Sequence, residues 1–128
     1  MKTHISLPAR DLDASVRFYS TLLNQPPTKR LDDYALFITE NPGLELALNR
    51  STSARAESAA HYGFAVRSQQ EVDDVAGRLR AAGLHVEMEL EEVCCYAKQT
   101  KAWVSDPDGR RWETYVVLEE VAAEACCT

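Results

Sequence analysis

Residues 61–71 read His61-Tyr62-Gly63-Phe64-Ala65-Val66-Arg67-Ser68-Gln69-Gln70-Glu71, and they begin again what Thr3-His4-Ile5-Ser6-Leu7 began. His61, Gly63 and Ala65 alternate with Tyr62, Phe64 and Val66, the period of a half-buried strand. Ser68 to Glu71 has the spacing of a capping box, so a helix follows at once. Its apolar stripe is Val72, Val75, Leu79 and Ala82, and Gly83 stops it. In the earlier stretch Ile5 and Leu7 share one face, and His4 and Ser6 the other. Asp11 caps a helix whose stripe is Leu12, Val16, Tyr19, Leu22 and Leu23, ended by Asn24 to Pro27. His61 follows His4 by 57 positions, and Ser68 follows Asp11 by 57.

Three further strands complete each copy. In the first they are Thr28 to Leu31, Tyr34 to Ile38 and Leu44 to Leu48, with Asn41-Pro42-Gly43 as a turn. In the second they are Val86 to Leu90, Ala102 to Ser105 and Trp112 to Leu118, with Asp106-Pro107-Asp108-Gly109 as a type I turn. The turn glycines Gly43 and Gly109 are 66 apart, so the second copy carries nine extra residues after its helix. Cys94-Cys95 lies in that interval, which predicts an enlarged loop between strands, a usual place for function. The pattern predicts an α+β fold in which two βαβββ modules form a cupped mixed sheet with the helices outside. One domain is expected over 1–118, with modules of about 1–50 and 60–118, a linker at 51–59 and a mobile tail at 119–128. Residues Cys126 and Cys127 lie in that tail.

A net charge of −6 argues against a nucleic-acid or anionic-membrane partner, because both need clustered Lys and Arg. No apolar run approaches the 18 or so residues of a membrane span. Met1-Lys2-Thr3-His4 enters the strand pattern without signal-peptide architecture, so a cytoplasmic location is expected. The four cysteines fall in two adjacent pairs, which suits reduced thiols better than a disulfide framework. Whether the copies close a cup within one chain or between two leaves monomer and homodimer both open.

Strand parity selects the chemistry. With Ile5, Leu7, Phe64 and Val66 under the helices, His4 and His61 point into the cup. With Trp112 as the apolar anchor of the last strand, Glu113 and Tyr115 face the cup as well. Aligning the turn glycines places Ala47 opposite Glu113 in the repeat, with Glu45 one step away on the same face. Taken singly, each histidine or the glutamate is an ordinary surface or core residue. Their repeat-related positions and shared parity instead suggest a metal held by His4, His61 and Glu113, a facial triad that leaves three octahedral positions open. Such a triad suits non-haem Fe(II), and Mn, Ni, Co or Zn can also occupy it. His85 has no repeat partner and is expected to be exposed.

The chain resembles the vicinal-oxygen-chelate superfamily of glyoxalases, bleomycin- and fosfomycin-resistance proteins and extradiol dioxygenases. The resemblance rests on Asp11-Leu12 with Phe18-Tyr19, on His61, and on Asp106-Pro107-Asp108-Gly109 with Trp112-Glu113. Cys94-Cys95-Tyr96-Ala97 before Lys101-Ala102-Trp103-Val104 is similar to the carbon–arsenic lyase branch, also called cadmium-induced protein. That resemblance implies an Fe(II)-dependent dioxygenase that cleaves the carbon–arsenic bond of methyl or aryl trivalent organoarsenicals to give arsenite. It implies His4, His61 and Glu113 as iron ligands, Cys94 and Cys95 as the substrate-binding pair, and dioxygen as cosubstrate. Trivalent arsenic is thiophilic, so two thiolates suit it. Tyr96, Tyr115 and Trp103 can line a pocket or simply pack. Two other readings stay open: another metal-dependent glyoxalase or antibiotic-resistance enzyme, and a non-catalytic thiol-based binder of heavy metals.

Overall fold

The computed structural model describes residues 1–55, 60–94 and 97–120. The elements run β1 (Thr3–Ala9), α1 (Leu12–Leu22), β2 (Lys29–Arg30), β3 (Tyr34–Thr39), β4 (Leu44–Arg50), β5 (His61–Ala65), α2 (Gln69–Ala81), β6 (Glu87–Cys94), β7 (Ala97–Ser105) and β8 (Arg111–Glu120). They build two four-stranded mixed sheets of matching order, β1-β4-β3-β2 and β5-β8-β7-β6. In each, the first and last strands are parallel. The architecture is α+β, two βαβββ modules in sequence, as the repeat predicts. Among the described residues no helix is long and apolar enough to cross a membrane.

The chain divides into two compact units. The first holds Met1–Ala60 with Ser105–Arg110; the second holds His61–Val104 and the chain from Arg111 onward. In the first, β1 and β4 send Leu7, Ala9, Leu44, Leu46 and Leu48 to a buried face, and α1 packs on β3 and β4. In the second, Trp112 is 2% exposed and stacks against Tyr62 at 5.0 Å and Phe64 at 5.4 Å. α2 covers this sheet through β8.

The helix starts are as expected. Asp11 accepts from the Ala14 amide, and Ser68 and Glu71 form the reciprocal box. Gly83 takes φ +85° after α2, a conformation that disfavours a side chain. The stripes differ from the expected ones. α1 buries Ser15 and Phe18 while Val16 is half-buried; α2 buries Ala76 while Val75 is half-buried and Ala82, the C-cap, is exposed. Neighbouring helix positions differ by about 100°. Small Ser15 and Ala76 therefore allow close approach to the sheet where hydrophobicity alone selects valine.

The expected enlarged loop is instead mostly strand. β6 and β7 pair antiparallel from Glu87↔Trp103 to Cys94↔Ala97, with a register shift between Glu89 and Glu92. The nine extra residues thus lengthen a β-ribbon. Its ladder is held by backbone hydrogen bonds, which need no apolar alternation to announce them. Cys94 ends β6, while Cys95 and Tyr96 lie outside the described residues, as do 56–59 of the linker and 121–128 with Cys126 and Cys127.

The Asp106-Pro107-Asp108-Gly109 turn belongs to the first unit. Gly109 donates its amide to the Asp106 carbonyl at 3.0 Å, closing the turn. Buried Asp106 accepts from Tyr19 Oη at 2.5 Å and from Arg110 Nη1 at 3.1 Å, and Arg110 Nη2 donates to the Pro8 carbonyl at 2.6 Å. This buried charge is tolerable because it is paired and hydrogen-bonded on several sides.

Candidate metal centre

In the first unit, His4 lies on the face of β1 turned away from the core. It pairs in register with Glu45 of β4, and Ser6 pairs with Ala47. His4 Nδ1 is 3.4 Å from Glu45 Oε1, with the side chains 57% and 41% exposed. A carboxylate beside one ring nitrogen fixes the ring and leaves Nε2 to point elsewhere. Asn49 Nδ2 donates to Ser6 Oγ at 2.9 Å on the same face.

In the second unit, His61 opens β5 opposite Arg111, and Gly63 lies opposite Glu113. His61 and Glu113 therefore share one face of one sheet, on adjacent strands. The alternation of β7 brings Lys101 and Trp103 to that face while Ala102 and Val104 go to the core. The His61 ring meets Trp103 edge-on at 5.4 Å, and the Arg111 guanidinium stands 4.7 Å from the Trp103 ring centre. Glu113 is buried, with Lys101 Nζ 3.7 Å from its Oε2. That oxygen has no hydrogen-bond partner among the described residues. Gly63 makes room for it: a Cβ there would sit 2.5 Å from Glu113 Cγ.

The three expected ligands are divided between the units, with His4 in the first and His61 and Glu113 in the second. Among the described residues, neither unit by itself gathers three His, Cys, Asp or Glu side chains around a point. The donor set of two imidazoles and a carboxylate suits a borderline divalent ion. The buried Glu113 oxygen that accepts no hydrogen bond among the described residues fits one too, since an unsatisfied buried acceptor costs about 1–3 kcal/mol. Tyr115 pairs with Ala65 on the Glu113 face. His85 is exposed, 85% at its side chain, as expected. The alternation in the sequence already puts Gly63 on the His61 face, but sequence reasoning passed over Lys101 and Arg111 as members of it. The alternation Lys101-Ala102-Trp103-Val104 carries the signal for Lys101, and that of Arg111-Trp112-Glu113 carries it for Arg111.

The chain belongs to the glyoxalase/bleomycin resistance protein/dioxygenase superfamily, whose family model matches residues 3–114. Within it the similar proteins include a trivalent organoarsenical cleaving enzyme of Bacillus sp. (strain MD1), 37% identical over 130 residues covering 97% of this chain and 81% of that protein. The cadmium-induced protein CadI of Mycobacterium tuberculosis (strain ATCC 25618 / H37Rv) is 39% identical over 119 residues, 93% of this chain and 78% of its own. These relatives match the carbon–arsenic lyase branch to which the sequence is similar. A solved glyoxalase/bleomycin resistance protein/dioxygenase from Alicyclobacillus acidocaldarius superposes with a TM-score of 0.73 at 21% identity, covering 93% of this chain and 92% of that one. At that identity the likeness concerns the fold alone.

Proposed function

We propose that this protein is an Fe(II)-dependent dioxygenase that cleaves the carbon–arsenic bond of trivalent organoarsenicals and releases arsenite. The observation that carries this reading is its near-full-length relationship to proteins named for cleaving trivalent organoarsenicals. The buried Glu113 oxygen, which accepts no hydrogen bond among the described residues and shares a sheet face with His61, supports the metal part of it. His4, His61 and Glu113 would hold the iron. When bound, iron would supply activation of dioxygen.

The chain's own residues do the rest. Gly63 leaves space for the Glu113 side chain, and Trp103 holds the His61 ring edge-on. Cys94 and Cys95 take the arsenic. A substrate R–As(OH)₂ exchanges its two hydroxyls for two As–S bonds and releases two waters, with the As–C bond left intact. Arsenic favours thiolate sulfur as soft metals do. The double tether turns attack on that bond into an intramolecular event. Trp103 and Tyr115 share the face of Glu113 and are proposed to line the substrate's approach.

The test is anaerobic reconstitution with Fe(II), then admission of dioxygen with methylarsenite. Arsenite release should need both iron and dioxygen. Cys95→Ser should cut turnover by about a hundredfold or more while iron stays bound, the loss expected when a positioning tether goes. Full turnover by that variant would sink the thiol tether. A second reading, thiol-based sequestration of heavy metals, is favoured by the kinship to a protein named as cadmium-induced. His4→Ala separates the two: it should abolish iron binding under the first and leave thiol-dependent cadmium binding untouched under the second.

A further inference from the structure

Glu113 carries its charge into a buried place. Its side chain is 11% exposed, and that of Lys101 beside it is 14% exposed. The ammonium stands 3.7 Å from Oε2, close enough to balance the charge but beyond hydrogen-bond distance. The same oxygen has no hydrogen-bond partner among the described residues. The charge is therefore balanced without the lone pairs of Oε2 being used. Shape does the remaining holding, since Gly63 lies directly against Glu113 Cγ.

We propose that Lys101 is the resident counter-ion of Glu113 and competes with the metal ion for that carboxylate. This inference rests on the reading that Glu113 is a metal ligand. In the metal-free protein the ammonium offsets a buried negative charge that would otherwise be unpaired. Once a divalent cation binds the same group, the ammonium becomes a like charge close to it. Lys101 thus stabilises the metal-free state and weakens the metal-bound one. A lysine suits this task, because a flexible stem lets the charge withdraw where a rigid guanidinium fork would stay. It is a positioning residue, acting on the metal through the ligand. A partner that merely oriented the ligand would do the opposite, since removing one usually weakens metal binding by roughly 10–100-fold.

The experiment titrates Co(II), followed by its visible absorbance, into wild type, Lys101→Met, Lys101→Gln, Lys101→Arg and Glu113→Gln, with urea unfolding of each metal-free protein alongside. Lys101→Met should bind Co(II) about tenfold more tightly, the order expected for removing a unit charge near the ion, and its metal-free form should unfold at lower urea. Lys101→Gln should behave alike and serves as the readout should the methionine variant not fold. Lys101→Arg, whose charge cannot withdraw, should bind Co(II) more weakly than wild type, and Glu113→Gln should lose binding. Equal or weaker Co(II) binding by both neutral variants overturns the competition. Should wild type bind no Co(II) or Fe(II), the ligand role of Glu113 falls and this inference with it, a failure visible before any Lys101 variant is measured.

Discussion

The two units use one backbone plan for different side-chain chemistry. Each pairs its first strand in parallel with its last, and each turns a histidine from the first strand to the face away from its helix. Opposite His4 stands Glu45, a carboxylate; opposite His61 stands Arg111, which lies on Trp103. Two residues further along, Ser6 faces Ala47 in the first unit, and Gly63 faces Glu113 in the second. The backbone pairing is the same while the chemistry moves from strand to strand. A repeat of backbone therefore does not imply a repeat of donors. The second unit carries a buried carboxylate where the first carries a methyl group, and the first places its carboxylate, half-exposed, beside the histidine instead.

The largest difference between the units should emerge when each one's carboxylate is removed in turn. Glu113→Ala should lower Co(II) affinity by more than about a hundredfold, beyond the range seen for residues that only support a ligand. Glu45→Ala should cost roughly three- to tenfold, because Glu45 acts only through the His4 ring and is partly screened by solvent. Equal losses would mean that Glu45 is itself a ligand, and the asymmetry between the units would vanish.

The next contrast is steric. Gly63→Ala places a Cβ 2.5 Å from Glu113 Cγ and 2.8 Å from the Glu113 carbonyl oxygen, and backbone cannot swing aside as a side chain does. It should destabilise the protein by about 2–3 kcal/mol, the upper part of the range for overpacking, measured by urea unfolding. Ser6→Ala, at the matching position, gives up an exposed hydrogen bond from Asn49 and should change stability by no more than about 0.5 kcal/mol.

What was legible in the sequence follows from what leaves a periodic trace. The two helices, their caps and the β5 alternation are local patterns, and they lead directly to the α+β repeat. Spacing aligned Ala47 with Glu113, and the register Ser6↔Ala47 and Gly63↔Glu113 agrees with it. Residues 91–101 left no such trace, because Glu, Val, Cys and Lys there do not alternate apolar with polar, while the β6–β7 pairing is carried by backbone hydrogen bonds. Nor does any local pattern reveal that the Ser105–Arg110 turn packs with the first unit. That depends on Tyr19 and Asp106, which are 87 positions apart. Tyr19→Phe tests the link: it removes a hydrogen bond to a buried carboxylate and should cost about 1.5–3 kcal/mol in thermal or urea unfolding.

The smallest contrast lies at the helix starts. α1 has a single cap, Asp11 Oδ1 accepting from the Ala14 amide at 3.0 Å. α2 has a reciprocal one: Ser68 Oγ accepts from the Glu71 amide at 3.2 Å, and Glu71 Oε2 accepts from the Ser68 amide at 3.2 Å and the Arg67 amide at 2.6 Å. Asp11→Ala and Ser68→Ala should each cost about 1 kcal/mol, since either removes one acceptor from otherwise unsatisfied helix amides. The difference should appear only in the double variant. Ser68 and Glu71 bond to each other's backbone, so removing both should cost less than the two single losses added, by roughly 0.5 kcal/mol. Asp11 has no such partner among the described residues, and pairing Asp11→Ala with Asp13→Ala should be additive. A coupling of the same size in both helices would mean that the reciprocal box contributes nothing beyond its two separate hydrogen bonds.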